Sequence, residues 1–301
     1  MARTGRFRRF QVSCNHRTPR SKSFSSAGVD GGSMTSTATT TGAGPTTTRT
    51  GSPHSNTTAL TTDGRTATDH RPAGTRHDSD GEPHDTPAAP ADVSSYYLIH
   101  RALRDSAARF ALAIRGAEPG TDRTRTKALQ RWYHGYHAEL HMHHTVEDHI
   151  FFPALADRVP VMATHADRLD IEHDQIVAAM DRTLAAVDQL AAMPVDDTTH
   201  AEAVSAADQL NALLEAHLAY EDADIVPLFV RHFTADEYAT LDSGAKKSGS
   251  LKTMAFTVPF VAAAGTPEEL KMMLDGAPGI LRVLLVATRG RYRKLVTAAL
   301  G

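Results

Sequence analysis

Two segments of this chain repeat one pattern of ionisable residues. The first is HMHHTVEDHIFFP at residues 141–153, and the second is EAHLAYEDADIVP at residues 215–227. They agree at positions that hold His, Glu, Asp and Pro in the same order and at the same spacing. The matched pairs are His143 with His217, Glu147 with Glu221, Asp148 with Asp222, and Pro153 with Pro227. His144 is matched by Leu218, so the repeat does not include it.

One further histidine precedes each of these segments. The stretch LIHRAL, residues 98–103, has His100 with leucine two residues before it and three residues after it. The stretch IEHDQI, residues 171–176, has His173 with isoleucine at the same offsets. The chain therefore contains two copies of one unit, in which a single histidine is followed by His-x3-Glu-Asp-x4-Pro.

The spacing of the repeated His and Glu suits metal binding. Residues four apart on a helix lie on one face with Cβ atoms about 5–6 Å apart, so such a pair can hold one metal ion or two adjacent ions. Together the copies supply four imidazoles and two carboxylates, from His100, His143, Glu147, His173, His217 and Glu221. A bridging carboxylate can hold two cations about 3.5–4 Å apart, and a mixture of imidazole and carboxylate fits a di-iron site best. Six side chains would leave open positions for solvent, O2 or another small ligand.

A simpler interpretation is that these histidines lie on the protein surface. The chain has 17 histidines, and a single His-x3-Glu pair would indicate a surface pair. Two pairs in register, with the same flanking Asp and Pro, are much harder to obtain by chance. A duplication that served packing alone would repeat apolar residues, because buried ionisable groups are costly unless they are paired or bind a metal.

Several neighbouring residues are candidates for supporting roles. Asp148 and Asp222 are expected to accept hydrogen bonds from ligand imidazoles, with a plain surface role as the alternative. Tyr96 lies one turn before His100, so it could donate a hydrogen bond into the site or serve as a core residue. The remaining nearby histidines are expected to lie on other faces or too far along their helices: His137, His141, His149 and His165.

Four predicted helices position these side chains. Apolar residues recur every three to four positions in four segments, at 94–116, 121–158, 163–193 and 200–233. No alternating apolar pattern occurs between 93 and 233, so no β-strand is predicted. Pro153 is expected to end or bend the second helix. Long amphipathic helices with short connections predict an all-α protein built on an antiparallel up-down four-helix bundle.

The sequence divides into three predicted regions. Residues 1–92 are rich in Ser, Thr and Gly and offer little to bury, so we expect a disordered tail; a start of translation at Met34 is an alternative. Residues 93–233 form the metal-binding bundle, and residues 234–301 form a small C-terminal helical extension. In this extension TADEYATL and TPEELKMML begin with helix-start signals. The last helix, GILRVLLVATRGRYRKLVTAAL, is expected to pack against the bundle or against a partner chain, including a second copy.

Composition excludes several classes of protein. The formal net charge of −3 argues against a nucleic-acid-binding protein. No apolar run approaches the roughly 20 residues of a membrane span. The single cysteine, Cys14, excludes disulfides within the chain and thiolate metal sites, which favours a reducing compartment and a cytoplasmic location.

Residues 93–233 resemble the hemerythrin-like, or HHE cation-binding, family. The resemblance rests on HHTVEDHIFFPAL and HLAYEDADIVPLF, together with the single histidines of YLIHRAL and DIEHDQI. It implies an up-down four-helix bundle with a non-haem di-iron centre, whose ligands would be His100, His143, Glu147, His173, His217 and Glu221. Two positions depart from the family members that carry O2. Those members have a second histidine where this chain has Leu169, and an aspartate where it has Glu221.

Three functions remain open from the sequence. The first is a non-catalytic di-iron protein that binds O2 or NO, or senses iron or redox state. The second is a di-iron oxidoreductase that acts on peroxide, O2 or NO, a class suggested by family analogy alone. The third is a helical interaction module that binds zinc or no metal. No flavin, haem or nicotinamide motif occurs in the sequence, and no catalytic residue is predicted.

Overall fold

The computed structural model describes residues 88–275 and 279–301. The predicted disordered tail, apart from residues 88–92, lies outside the described residues. Within those two ranges the chain is helical and contains no β-strand, which confirms the predicted all-α class. An isolated β-bridge pairs Pro90 with Thr234, so the chain entering the first helix contacts the chain leaving the histidine-containing region.

Each repeated histidine lies in a helix, within the segment predicted for it. In chain order the helices are α1 Ser94–Arg115, α2 Arg123–Val146, α3 Phe152–Arg158, α4 Met162–Ala192, α5 Asp197–Tyr220, α6 Val226–His232, α7 Ala235–Lys247, α8 Leu251–Ala264, α9 Pro267–Asp275 and α10 Gly279–Leu300. Two π-helical turns interrupt the series: Glu147–Phe151 joins α2 to α3, and Glu221–Ile225 joins α5 to α6. Both turns begin at the repeated glutamate.

The repeated prolines explain the π-helical turns. The helix does not end at Pro153, as the sequence had allowed, and the chain stays helical to Arg158. Because proline has no N–H, it cannot donate to the carbonyl four residues earlier. The turn before it widens instead, and the N–H of Phe152 donates to the carbonyl of Glu147. The second copy does the same before Pro227, so each proline fixes an irregular turn beside a repeated acid.

The long helices pack around two apolar clusters. The larger contains Trp132, Tyr133 and Tyr136, which are fully buried, and it receives residues from α1, α2, α4 and α5. The smaller contains Phe152 and Phe229 and lies at the other end of the same helices. Contacts of α1 with α5, of α5 with α4, and of α4 with α2 hold the long helices together.

The order of the two clusters alternates from one long helix to the next. Along α1 the chain passes from the smaller cluster at Tyr96 to the larger at Leu103, and α4 runs in the same sense. Along α2 and the π-helical turn after it, the chain passes from the larger cluster at Leu140 to the smaller at Phe151, and α5 with its π-helical turn runs likewise. On α1, α2 and α4 the repeated histidine falls between residues of the two clusters, and on α5 His217 lies next to Leu218 at the end of the larger cluster.

The C-terminal helices pack on α1 and α2. α8 contacts both of these helices, and α10 contacts α2 and α8. Phe260 and Tyr292 extend the larger cluster into this region. The sequence had not indicated α8, whose residues are apolar almost throughout and include Pro259 in the helix interior. Among the described helices, none is both long and apolar enough to cross a membrane.

Gly135→Ala tests how closely α8 lies against α2. A Cβ added at Gly135 would come within 3.0 Å of three ring carbons of Phe256 on α8. Alanine gains about 1 kcal/mol of helix propensity over glycine, but overpacking of this kind costs about 1–3 kcal/mol.

Gly290→Ala on α10 is the matched control, because no heavy atom of the described residues lies within 4 Å of a Cβ at that position. We expect the free energy of unfolding in urea to be lower for Gly135→Ala than for Gly290→Ala by about 1–3 kcal/mol. An equal gain in both variants would contradict the docking of α8.

Candidate metal centre

A layer of buried ionisable side chains separates the two apolar clusters. It contains all six residues that the sequence singled out, namely His100, His143, Glu147, His173, His217 and Glu221, and none is more than 8% exposed. α1 and α4 each contribute one histidine, while α2 and α5 each contribute a histidine one turn before a π-helical glutamate. Burying so many ionisable groups is unfavourable unless they are paired or bound to a cation.

Glu147 lies between histidines from both copies of the repeat. Its Oε1 is 3.1 Å from Nε2 of His143 and 3.8 Å from Nε2 of His100. Its Oε2 is 3.7 Å from Nε2 of His173. The two oxygens of one carboxylate therefore face different histidines, which is the arrangement that a bridging ligand requires.

Glu221 is placed in the same way. Its Oε2 lies 3.4 Å from Nε2 of His100, and its Oε1 lies 3.4 Å from Nε2 of His217. The same Oε1 is 4.0 Å from Nε2 of His173. Both repeated acids thus reach histidines of both copies.

The donor atoms form two overlapping groups. One group consists of His100, His143, Glu147 and Glu221, and the other of His144, Glu147, His173 and His217. Within each group the donor atoms lie within 4.8 Å of one another. Metal–donor bonds of about 2.0–2.2 Å place the ligands of one ion about 3–4 Å apart, so each group needs only a small contraction to hold an ion. Glu147 is common to both groups.

His144 is the member that the sequence analysis missed, because Leu218 occupies its place in the second copy. Its side chain is buried, and its ring stacks on that of His173 with 4.2 Å between centroids. Neither of its ring nitrogens has a hydrogen-bond partner among the residues that the structure describes. The adjacent histidines of HMHHTVED were the only local signal, and they do not say which ring points inward.

The inward-facing atoms fit a cation site because the described part of the protein does not satisfy them. Hydrogen-bond partners are lacking for Nε2 of each of the four repeated histidines, for Oε2 of Glu147 and for both carboxylate oxygens of Glu221. Buried polar atoms are nearly always hydrogen-bonded, and an unpaired one costs about 1–3 kcal/mol. Cations bound by the two donor groups would satisfy these atoms, and imidazole with carboxylate is a donor set that iron accepts.

The repeated aspartates orient histidines of the opposite copy. Oδ1 of Asp222 lies 2.7 Å from Nδ1 of His100, and Oδ1 of Asp148 lies 2.9 Å from Nδ1 of His173. Each imidazole can donate its outer N–H to the acid and direct Nε2 inward as a lone-pair donor. The predicted contact between these aspartates and candidate ligands is therefore confirmed, and it links the two copies.

His217 has a different outer partner. Its Nδ1 lies 3.0 Å from Oε2 of Glu172 on α4, a residue that the sequence analysis did not single out. Glu172 also accepts a hydrogen bond of 2.6 Å from Arg168, whose guanidinium carbon lies 3.3 Å from the ring centroid of Tyr220. His165 contacts the Tyr220 hydroxyl and stays outside the buried layer, as predicted.

Tyr96 fulfils both roles that were considered for it. Its hydroxyl donates a hydrogen bond of 2.5 Å to Oε1 of Glu147. Its ring packs against His100, with 4.7 Å between centroids, and belongs to the smaller apolar cluster. Of the other histidines, His141 and His149 are exposed and His137 contacts Asp181 at 3.1 Å.

Burial and neighbouring charges separate the protonation states of the two central acids. Burial alone would raise the pKa of Glu147, but attraction to His143 and the other histidines holds that pKa well below its usual value. Burial, and then repulsion from Glu147, raises the pKa of Glu221 well above its usual value. Burial also lowers the pKa of His143 to about 3 and that of His144 well below its usual value. Both rings are thus neutral, which is the form that binds metal.

Comparison with known families agrees with this geometry. The family model of the hemerythrin HHE cation binding domain matches residues 92–234, the segment that contains every side chain of the buried layer. Searches of curated proteins and of solved structures returned no significant match. The chain therefore contains a hemerythrin HHE cation-binding domain, and residues 92–234 belong to that family.

Proposed function

We propose that residues 93–233 hold a non-haem di-iron centre that reversibly binds O2 or NO. The observation that carries the proposal is the pair of buried donor groups that share Glu147. The proposed ligands are His100, His143, Glu147, His173, His217 and Glu221, to which the geometry adds His144. Bound iron would supply open coordination positions and a reversible change of oxidation state, on which binding of a diatomic ligand depends.

The proposal includes an antiparallel up-down arrangement of the four long helices. It is supported by the alternation in which α1 and α4 run from the smaller apolar cluster to the larger, while α2 and α5 run from the larger to the smaller. Such an arrangement lets four helices present ligands at one level of the core.

The surrounding residues orient the proposed ligands toward the metal site. Asp148, Asp222 and Glu172 hold three imidazoles in the orientation that points Nε2 inward. The apolar clusters on either side keep the layer buried, which strengthens electrostatic interactions within it. Tyr96 holds Glu147 through a hydrogen bond and so limits the rotation of the shared carboxylate.

A second candidate function is a di-iron oxidoreductase that acts on peroxide, O2 or NO. One observation favours it: an apolar cavity reaches His143 and Glu147, at the edge of the proposed metal centre. A carrier of diatomic gases does not need a cavity for a larger molecule. Steady consumption of O2, peroxide or NO by the iron-loaded protein would favour this candidate over reversible binding.

Iron content is the first test of the proposed centre. Protein loaded with ferrous iron under anaerobic conditions and then desalted should retain about two irons per chain, as in other two-metal sites. Glu147→Ala removes the acid common to both donor groups, so we expect a retained content below about one iron per chain. The measurement is inductively coupled plasma mass spectrometry.

Glu202→Ala, which removes an exposed acid of α5, is the control and should retain the wild-type iron content. A wild-type protein that retains no iron, or a Glu147→Ala variant with full iron content, would overturn the di-iron proposal.

Binding of diatomic gases is tested on the reduced, iron-loaded protein. Titration with O2, and separately with NO, should change the visible absorption spectrum to saturation, and removal of the gas should restore the starting spectrum. The metal-free protein is the control. Iron-loaded protein whose spectrum responds to neither gas would contradict the diatomic ligand while leaving the metal centre intact.

His144→Leu tests whether the residue missed by the repeat binds metal. The substitution introduces the side chain that the second copy carries at this position, Leu218. If His144 is a ligand of the second donor group, iron content should fall from about two to about one per chain, because that group loses one of its four donors.

The matched control is His149→Leu, an exposed histidine of the first π-helical turn. It should leave iron content unchanged. Full iron content in His144→Leu would instead assign His144 a packing role beneath His173.

A further inference from the structure

A cavity of about 210 Å³ lies between the ionisable layer and the C-terminal helices. Its inner end is formed by Tyr96, His143 and Glu147, and one wall is formed by α1 and α2. The opposite wall consists of residues of α7, α8, α9 and α10. The cavity therefore exists only because the C-terminal extension packs beside the hemerythrin domain.

The lining of this cavity is mainly aliphatic. Its walls include Leu98, Ile99, Val146, Val258, Val261 and Leu281. Three methionines, Met142, Met254 and Met273, also line it, and such flexible, polarisable side chains adapt to ligands of varied shape.

The few charged groups in the lining do not favour a charged ligand. Lys246 lies at the exposed side and is paired with Asp242 at 2.5 Å. Glu139 is buried, accepts a hydrogen bond from the hydroxyl of Thr257, and has a pKa that burial raises. Glu147 faces the histidines. An anion would meet buried acids, and a cation would lose its hydration shell against aliphatic walls.

We propose that this cavity is a binding site for a small uncharged apolar molecule, which would lie with one end beside His143 and Glu147. An apolar cavity of about 150 Å³ is large enough for benzene, so the space here accepts an aromatic ring or a short alkyl chain with a substituent. Only one part of this proposal rests on the proposed metal centre, namely that the inner end of the cavity places the molecule beside iron ligands. Binding itself needs no metal, and the two ideas can fail separately.

The test uses fluorobenzene as the probe and the full chain in both metal-free and iron-loaded forms. We expect saturable broadening of the fluorine NMR signal with either form. Relaxation of the bound probe should be faster in the form loaded with ferrous iron. Ferrous iron is paramagnetic, and the inner end of the cavity touches its proposed ligands. Absence of saturable binding to both forms would overturn the proposal. Equal relaxation in the two forms, with iron present, would overturn the location beside the metal.

Substitutions in the lining locate the binding site. Val261→Phe adds volume to the α8 wall and should weaken fluorobenzene binding by about tenfold or more, because the added ring occupies space that the probe would fill. Leu112→Phe, at an exposed position of α1, is the control and should bind like wild type.

Met142→Ala is a second variant, which tests the site even if Val261→Phe does not fold. It enlarges the cavity from the α2 side and should gain affinity for 1-fluoronaphthalene, a larger probe, relative to wild type. Circular dichroism establishes that each variant is folded. If folded Val261→Phe and Met142→Ala both bind the two probes like wild type, the probes lie elsewhere and the proposal is wrong. Probe binding by a protein that takes up no iron would refute the di-iron function alone.

Discussion

The structure depends on burying the carboxylate of Glu147 among histidines from both copies of the repeat. Nothing in the described part of the protein satisfies its Oε2 or the inward nitrogens that surround it, so the layer between the two apolar clusters is incomplete without a cation. Aliphatic residues in the same positions would stabilise the core more simply. The buried ionisable layer is therefore best explained by metal binding. The folded chain already orients the donor side chains for it.

The two copies are alike in their ligands but differ in what surrounds them. Four residues before the single histidine, the first copy has Tyr96, which donates to Glu147, and the second has the apolar Leu169. His144 stacks on His173, whereas its counterpart Leu218 belongs to the larger apolar cluster. The repeated residues give both copies one framework, and the residues that differ give the two donor groups different compositions. Two ions bound there would be inequivalent, with a third imidazole available to one of them.

The sequence was a good guide to the ligand framework and a poor guide to its details. Repeated side chains at helical spacing must share a face, so His143 and Glu147 could be placed together before any coordinates were known. The inward position of His144 could not, because adjacent helical residues point about 100° apart and the repeat favoured only one. The π-helical turns depend on hydrogen-bond register around Pro153, which spacing does not report. α8 lacked a polar face, so hydrophobic periodicity could not reveal it.

The C-terminal extension limits what can reach the ionisable layer from one side. α8 lies so close to α2 that Gly135 leaves no room for a Cβ beneath Phe256, while other residues of the same two helices line the cavity. An apolar cavity beside so close a contact would be costly for helices selected only for packing, since empty apolar space forfeits dispersion contacts. The cavity borders Glu147, so a molecule bound in it would lie beside the proposed metal centre. The extension is thus better understood as part of the site than as an appendage to it.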